Sequence, residues 1–554
     1  MKRIGIALCV MLFFGVATVS AQNDLRTGGL VFDKDKMMPE DLFGLSQTSF
    51  NLGTARSMAM AGAFTSLGGD MASMAINPAG LGMFRSNEVS ITPLMSFERS
   101  STNAMANQKN EKNRFSLGNF GIVINTYEGS GNLLSLNLGL GYNRISDFNY
   151  QYSFFTPNNV ASIADVFCRQ LDFAGIKQGD LVGDKLDWFR YDPTYWGAVL
   201  GYKNGLAEQG KGGAWSPTWI NYNDPSLDIG HYTTVESRGY IGEYELSLGA
   251  NLNNKLYFGL TMGIQSVHRE QNYYYSEDYL YDNNNTTTGL DVQLYSMDYR
   301  QTAIVDGVGV NFKLGVIYRP VESVRLGFAL HTPTYYSLDY SYRAGMVSEA
   351  HVYNDPNGVM KPDGNGNIWI DTVTPVWSDS GPDSYEFISP TRMLFGASYT
   401  FGSMGVISVD YERDWYNGIR VKGAPQGLSH QVYNDVSRAA FKGSNILRVG
   451  VEFKPLSMLA IRAGFGYRGS MLQEGYEQLL SSPVVTKELY YTAGLGLYVS
   501  RHMTIDLAYQ YAKATLSDYR LFFAEGASIP TSDSAWYSTS LTRHNVALTL
   551  GFKF

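Results

Sequence analysis

The stretch "LSLGANLNNKLYFGLTMGI", Leu246 to Ile264, decides the fold. Leu246, Leu248, Ala250 and Leu252 alternate with other residues up to Asn253-Asn254. Leu256, Phe258, Leu260, Met262 and Ile264 alternate away from it. A period of two marks a strand with one apolar face. Two such arms around a tight turn make a β-hairpin. The figure recurs. Val308 to Tyr318 meets Val324 to Leu330, and Met393 to Phe401 meets Val406 to Tyr411. Ile446 to Phe453 meets Leu459 to Phe465, and Leu489 to Val499 meets Thr504 to Tyr511.

The connections between hairpins are long and polar: roughly 156–231, 278–292, 346–384, 418–440, 470–486 and 516–540. With Val89–Phe97, Phe115–Asn125, Leu134–Phe154 and Val546–Phe554, the count reaches about 14 strands. Leu134, Leu136, Leu138, Leu140 and Tyr142 alternate with small or polar residues. That strand alone fits either a soluble sandwich or a membrane barrel. The strict alternation of short turns and long loops separates the two. In a closed up-and-down barrel it puts all short turns at one rim, as in outer-membrane barrels.

Composition agrees. Tyrosine and glycine are abundant, with 39 and 58 residues. No apolar run after residue 21 is long enough for a membrane helix. Residues 1–21 read as a cleavable signal peptide: Lys2 and Arg3, an apolar run from Ile4 to Val19, then Ser20-Ala21. Their removal takes the formal charge from −8 to about −10. An acidic chain with no basic block is a poor nucleic-acid binder. Cys9 leaves with the signal, and Cys168 alone cannot form an intrachain disulfide. The predicted class is an all-β transmembrane antiparallel barrel in the bacterial outer membrane.

The segment before the first strand is of another kind. "ARSMAMAGA" (Ala55–Ala63) and "MASMAI" (Met71–Ile76) are small and apolar, suited to packing inside a barrel. Asn77-Pro78-Ala79-Gly80 then breaks the backbone: proline cannot donate to a ladder, and glycine turns freely. The whole run "GTARSMAMAGAFTSLGGDMASMAINPAGLG", Gly53 to Gly82, resembles the N-terminal region of the FadL/TodX family of outer-membrane transporters for hydrophobic compounds. The resemblance implies a 14-stranded barrel plugged by an N-terminal hatch. A ligand would land on external loops, pass to a site near the hatch and leave sideways through the wall. Asn77, Pro78, Ala79 and Gly80 would form the gate. The implied domains are a signal peptide (1–21), an extension and hatch (22–86) and a barrel with long external loops (87–554). The polar extension 22–50 departs from the family pattern and puts hatch movement in question.

The longest loop supplies the landing site. Phe167 lies in a run with helical spacing, and Trp188, Phe189, Tyr195 and Trp196 form an aromatic cluster. These five are the candidate ligand-binding residues; the competing reading is a packed lid core. Gly139 and Gly141 weaken strand pairing, and Asp147 is hard to place against lipid, so the side opening is expected between Gly139 and Asp147. Glu243, Glu245, Arg448 and Arg462 fall at inward positions, as a lumen network.

No cofactor or metal is expected. The seven histidines are unpaired in spacing, and Asp363-Gly-Asn365-Gly-Asn367 lacks a calcium loop's later positions, so it reads as a polar turn. His502 and His544 thread near the periplasmic rim without a nucleophile motif, so an enzyme is not predicted. The expected partners are a hydrophobic small molecule such as a fatty acid, outer-membrane lipid, and the barrel-assembly machinery acting on Phe554; the chain is expected to be a monomer. The rival reading is a barrel that binds or shuttles exported proteins in a secretion system.

Overall fold

The computed structural model describes residues 44–46 and those from 53 onward, except 104–108, 183–188, 192–194, 223, 225, 282–290, 356–359, 375, 377–383, 424–429, 475–483 and 521–535. Fourteen antiparallel strands close into a barrel. The first three are β1 (Glu88–Thr102), β2 (Lys109–Glu128) and β3 (Leu133–Asp147, continued by Tyr150–Asn159). Three long strands follow: β4 (Asp228–Leu252), β5 (Leu256–Leu280) and β6 (Val292–Val321). Next are β7 (Val324–His331, continued by Tyr335–Val352), β8 (Ser384–Ile388, continued by Arg392–Thr400) and β9 (Gly405–Trp415). The last five are β10 (Gly443–Leu456), β11 (Leu459–Arg468), β12 (Val485–Tyr498), β13 (Met503–Leu516) and β14 (Thr539–Lys553). β14 pairs with β1 from Lys553↔Glu88 to Thr539↔Thr102, which completes the ring.

The quoted hairpin forms as its sequence dictates. Leu252 pairs with Leu256, and Asn253 and Asn254 take positive φ of 56° and 55°. Asparagine tolerates that left-handed conformation better than most side chains do. The turns of two to four residues lie at the rim that holds the C-terminus, and the long connections lie at the other rim. The expected strict alternation has one exception: β1 and β2 are joined at the far rim by the six residues 103–108 alone.

The wall is inside-out over its lower half. Phe258, Leu260 and Ile264 of β5 and Phe312 and Leu314 of β6 are exposed. Ser247, Asn251, Thr261, Asn311 and Lys313 are buried in the lumen. An apolar exterior over a polar interior suits lipid and not water. Here the predicted transmembrane barrel is borne out.

Higher up, on β4 and β5, the sense reverses without any slip of phase. β5 turns outward-polar at Ser266, His268 and Glu270, while Val267, Tyr273, Tyr275 and Tyr279 are buried inside. On β4, Glu245 and Glu243 give way to Ile241, Val235 and Ile229 on the same inner face. β4 and β5 are 25 residues long and β6 is 30, whereas about 9–11 tilted residues span a bilayer. The barrel therefore continues beyond the membrane as a second storey with a hydrophobic core. The wall is irregular where the storeys meet. β1 bulges at Thr92/Pro93, and β7 and β8 are interrupted around Pro333 and Pro390. Proline removes a ladder donor, which accounts for these interruptions.

Candidate functional site

An inner segment, from Gly53 to Met83, fills the lower lumen. It contains α1 (Ala55–Ala59), α2 (Ser73–Ile76) and a 3₁₀ turn (Pro78–Met83). Its backbone groups find partners on the wall. Thr65 N–H donates to Asp410 (2.7 Å) and Ala55 N–H to Thr549 Oγ1 (2.7 Å). Tyr490 OH donates to Ala61 C=O (2.9 Å), and Asn137 Nδ2 to Leu81 C=O (2.7 Å). Arg56 Nε lies 3.1 Å from Glu452, itself paired with Arg462, which also reaches Asp506. A buried backbone without such partners would cost heavily.

Small residues on the wall make this approach possible. Gly249, Gly259 and Gly315 pair in one register across β4, β5 and β6. A Cβ on Gly259 would overlap Pro78, and one on Gly315 would overlap Asn77 Oδ1. Gly327, Gly450, Gly464 and Gly494 likewise abut the segment from the other strands.

Asn77 pins the two parts together. It is fully buried. Its Nδ2 donates to Thr65 C=O (2.6 Å) and faces Val316 and Phe328 C=O (both 3.3 Å). Its Oδ1 accepts from Ala79 N–H (3.1 Å), capping the 3₁₀ turn that Pro78 begins. Ala79 packs on Tyr257 and Ile317. At Gly80 any Cβ would press on Ser73 and on Gly68, so the inner segment can fold against itself only with glycine there.

Above the inner segment lies a small chamber, at the junction of the storeys. Its polar lining includes Glu243, Gln265, Asn311, Lys313, His331 and Arg392. Lys313 Nζ is held by Glu243 and by Glu245 (3.0 Å). Arg392 Nε donates to Glu412 (2.7 Å), which also binds Arg448. Leu45 and Ser46 enter the chamber from the N-terminal side, so part of the extension stands in the lumen. Sequence reading placed Glu243, Glu245, Arg448 and Arg462 inside. It missed Lys313, His331 and Arg392, whose only signal was charge on the inward phase of a strand.

Beside the chamber the wall loses a ladder. β2 and β3 pair from Glu128↔Ser135 to Asn119↔Asn143 and no further. Upward from there β2 keeps pairing with β1, and β3 with β4. Side chains bridge the gap. Asn110 Nδ2 donates to Ser153 Oγ (2.9 Å), and Ser100 Oγ to Gln151 C=O (2.6 Å). Arg144 and Asp147 pair at 3.1 Å, and Asn149 N–H donates to Asp147 (2.9 Å). Gly139 and Gly141, expected to weaken pairing, are paired on both sides. They make room for Met74 and Leu81 of the inner segment instead. The gap begins beyond them, at Arg144.

The long loop folds down into the upper storey as a lid. Its helices α3 (Ile163–Ala174) and α4 (Trp196–Lys203) bury Phe167 and Trp196 to 1% and 2% exposure. Phe167 meets Tyr299 edge-on (5.8 Å), and Trp196 packs on Phe189 (5.5 Å) and Tyr342 (6.1 Å). Phe189 and Tyr195 are half-buried against the same core; Trp188 lies outside the described residues. Ser162 caps α3, and Glu277 accepts from both Ser162 Oγ (2.7 Å) and Ile163 N–H (2.7 Å). An acidic group at a helix N-terminus is favourable. Burial pushes the Cys168 thiol up, with Asp165 and Asp172 adding to the effect.

Asp363 accepts from Asn365 and Asn367 N–H (2.8 and 2.9 Å), a self-satisfied polar turn. Among the described residues no cluster of His, Cys, Asp or Glu is arranged to hold a metal. His544 is not at the periplasmic rim. It sits on the outer wall toward the far end of β14, 2.7 Å from Tyr509 OH. The predicted signal peptide and residues 22–43 lie outside the described residues.

No family model matches the sequence, and no curated protein does. Solved structures of similar form exist. The toluene transporter TodX of Pseudomonas putida is 13% identical, with 90% of this chain and 98% of that one covered at a TM-score of 0.47. A FadL homologue of Pseudomonas aeruginosa is 10% identical, with 92% and 99% covered at 0.47. The CymD monoaromatic hydrocarbon channel is 13% identical, with 91% and 99% covered at 0.46. At these identities and scores the likeness carries no functional weight. The chain is nonetheless similar in form to TodX and a FadL homologue, the family that Gly53 to Gly82 resembles.

Proposed function

We propose that this chain is a passive outer-membrane transporter of hydrophobic small molecules. The supporting observation is the wall gap above Asn119–Asn143, which opens beside the chamber and just above the inner segment. A molecule following that path never crosses the filled lower lumen. It enters past the lid, where Phe167, Phe189, Tyr195 and Trp196 offer apolar contact once α3 loosens from Glu277. It then rests in the chamber, over the hatch held by Asn77, Pro78, Ala79 and Gly80. It leaves between β2 and β3 at the foot of the gap, past Asp147, where the exposed Phe97 and Phe115 on the outer wall mark the upper edge of the outer-membrane lipid. Burying an apolar chain gains about 0.8 kcal/mol per CH₂, so transfer into lipid needs no chemical work. Phe554 serves recognition by the barrel-assembly machinery.

The test is uptake of radiolabelled decane by cells expressing the chain, against cells with an empty vector. Asn77→Ala combined with Pro78→Ala should leave a heat-modifiable barrel but change the uptake rate. Absence of any uptake above the vector control, with an exported protein copurifying instead, would reject the transport reading.

A further inference from the structure

The chamber is a poor place for the end of a pure hydrocarbon, and also for a carboxylate. Around it stand three cations, Lys313, Arg392 and Arg448, and four carboxylates, Glu243, Glu245, Glu412 and Asp414. Each cation is already bonded to a carboxylate. A bound carboxylate would add a fifth negative charge to these four, against three cations that are already bonded to carboxylates. Burying an uncompensated charge is costly. An alkane end, in turn, would strip water from these groups and return no hydrogen bond.

Two buried acceptors on chamber-lining residues have no hydrogen-bond partner among the described residues: His331 Nδ1 and Asn311 Oδ1. The tautomer of His331 follows from its neighbour. Its Nε2 lies 2.9 Å from Ile76 C=O, which only accepts, so Nε2 carries the proton and Nδ1 offers a lone pair. Asn311 Nδ2 donates to Glu243 (2.8 Å), which leaves Oδ1 as acceptor. The chamber thus calls for a donor without charge. Its other side is apolar: Leu45, Ile145 and Ile241 line it toward the wall gap.

We infer that the chamber binds an uncharged, hydroxyl-bearing apolar molecule, an aliphatic alcohol or a phenol, with the hydroxyl toward His331 and the apolar body toward Ile145 and Ile241. The inference rests on the transport reading and narrows its substrate class. The hydroxyl donates to an unpartnered acceptor and adds no charge. The gap beside Ile145 is where the apolar body would leave.

Three probes of equal chain length test it: decan-1-ol, decanoate and decane, titrated calorimetrically into the full chain in lipid nanodiscs at neutral pH. Decan-1-ol should bind at least about tenfold more tightly than either of the others, a difference of roughly 1.4 kcal/mol. His331→Leu should bring decan-1-ol down to the level of decane while the barrel stays heat-modifiable. Decanoate equal to or tighter than decan-1-ol overturns the inference, as does a preference that survives His331→Leu. Should His331→Leu fail to assemble, the ranking on the unaltered chain decides alone. Binding and uptake of decane without any preference for the alcohol would sink the inference and leave transport standing. No binding of any probe, with no uptake, would sink both.

Discussion

The two storeys of this barrel are built from the same strands with opposite rules. Along β5, the lower outward residues Phe258, Leu260 and Ile264 meet lipid, and the upper ones, Ser266, His268 and Glu270, meet water. The inner face inverts in step, from Thr261 and Gln265 to Tyr273, Tyr275 and Tyr279. What fills each storey differs accordingly. The lower one holds a segment of small residues fixed by hydrogen bonds and ion pairs. The upper one holds bulky lid helices fixed by apolar burial. A strand such as β4 or β5 can serve both because its side chains keep a strict period of two while only their polarity changes. The chamber and the wall gap sit where the rule changes.

The largest effect should come from the apolar core of the upper storey. Phe167→Ala empties a site enclosed by Tyr299, Gly197 and Gly201. Such truncations cost about 3–5 kcal/mol. Hydrogen exchange should show α3 and α4 losing protection while β10–β13 keep theirs. Uniform loss across the barrel would mean that the storeys are one cooperative unit.

Outward substitutions probe the boundary next. Leu260→Arg should cost about 2–4 kcal/mol on the lipid face. Ser276→Arg, outward on the same strand but in the upper storey, should change stability by less than about 0.5 kcal/mol. Urea midpoints of the folded barrel in lipid vesicles would compare them. Equal costs at both positions would erase the boundary.

A smaller effect is expected at the lower filling. Gly315→Val puts side-chain atoms where Asn77 Oδ1 stands. Overpacking costs about 1–3 kcal/mol. The inner segment, not the wall, should yield, so protease nicking near Asn77 should rise while the barrel still runs as heat-modifiable. A barrel that fails to assemble would show that the glycines serve strand pairing itself.

Much of the lower storey was legible in the sequence. Hairpins such as Leu246–Ile264 announce themselves because lipid demands an uninterrupted apolar face and Asn253-Asn254 supplies the turn. The upper storey was not. Tyrosines such as Tyr273, Tyr275 and Tyr279 read as neither polar nor apolar, so the alternating arms named for β4–β6 covered only their lower parts, although the loop bounds 156–231 and 278–292 left room for the upper ones. Gly139 and Gly141 looked like weak points of pairing. A glycine's neighbour across the lumen is invisible in sequence, and here that neighbour is Met74. The aromatic run around Phe167 and Trp196 was visible as a cluster, yet its enclosure depends on strands far away in the chain. The chamber was the least legible part. Glu243, Lys313 and Arg392 stand on three different strands, and only barrel closure brings them together.

The central claim, that the path runs from the chamber through the gap between β2 and β3, can be tested with one reversible lock. Asn110 and Ser153 face each other across the gap, with Nδ2 and Oγ 2.9 Å apart. Asn110→Cys with Ser153→Cys, in a Cys168→Ser background, allows a disulfide that ties the two edges together. The readout is decane uptake by the same cells before oxidation, after it, and after reduction. Oxidation should abolish uptake, and reduction should restore it. Uptake that continues unchanged through a fully formed crosslink would contradict a lateral path at this gap.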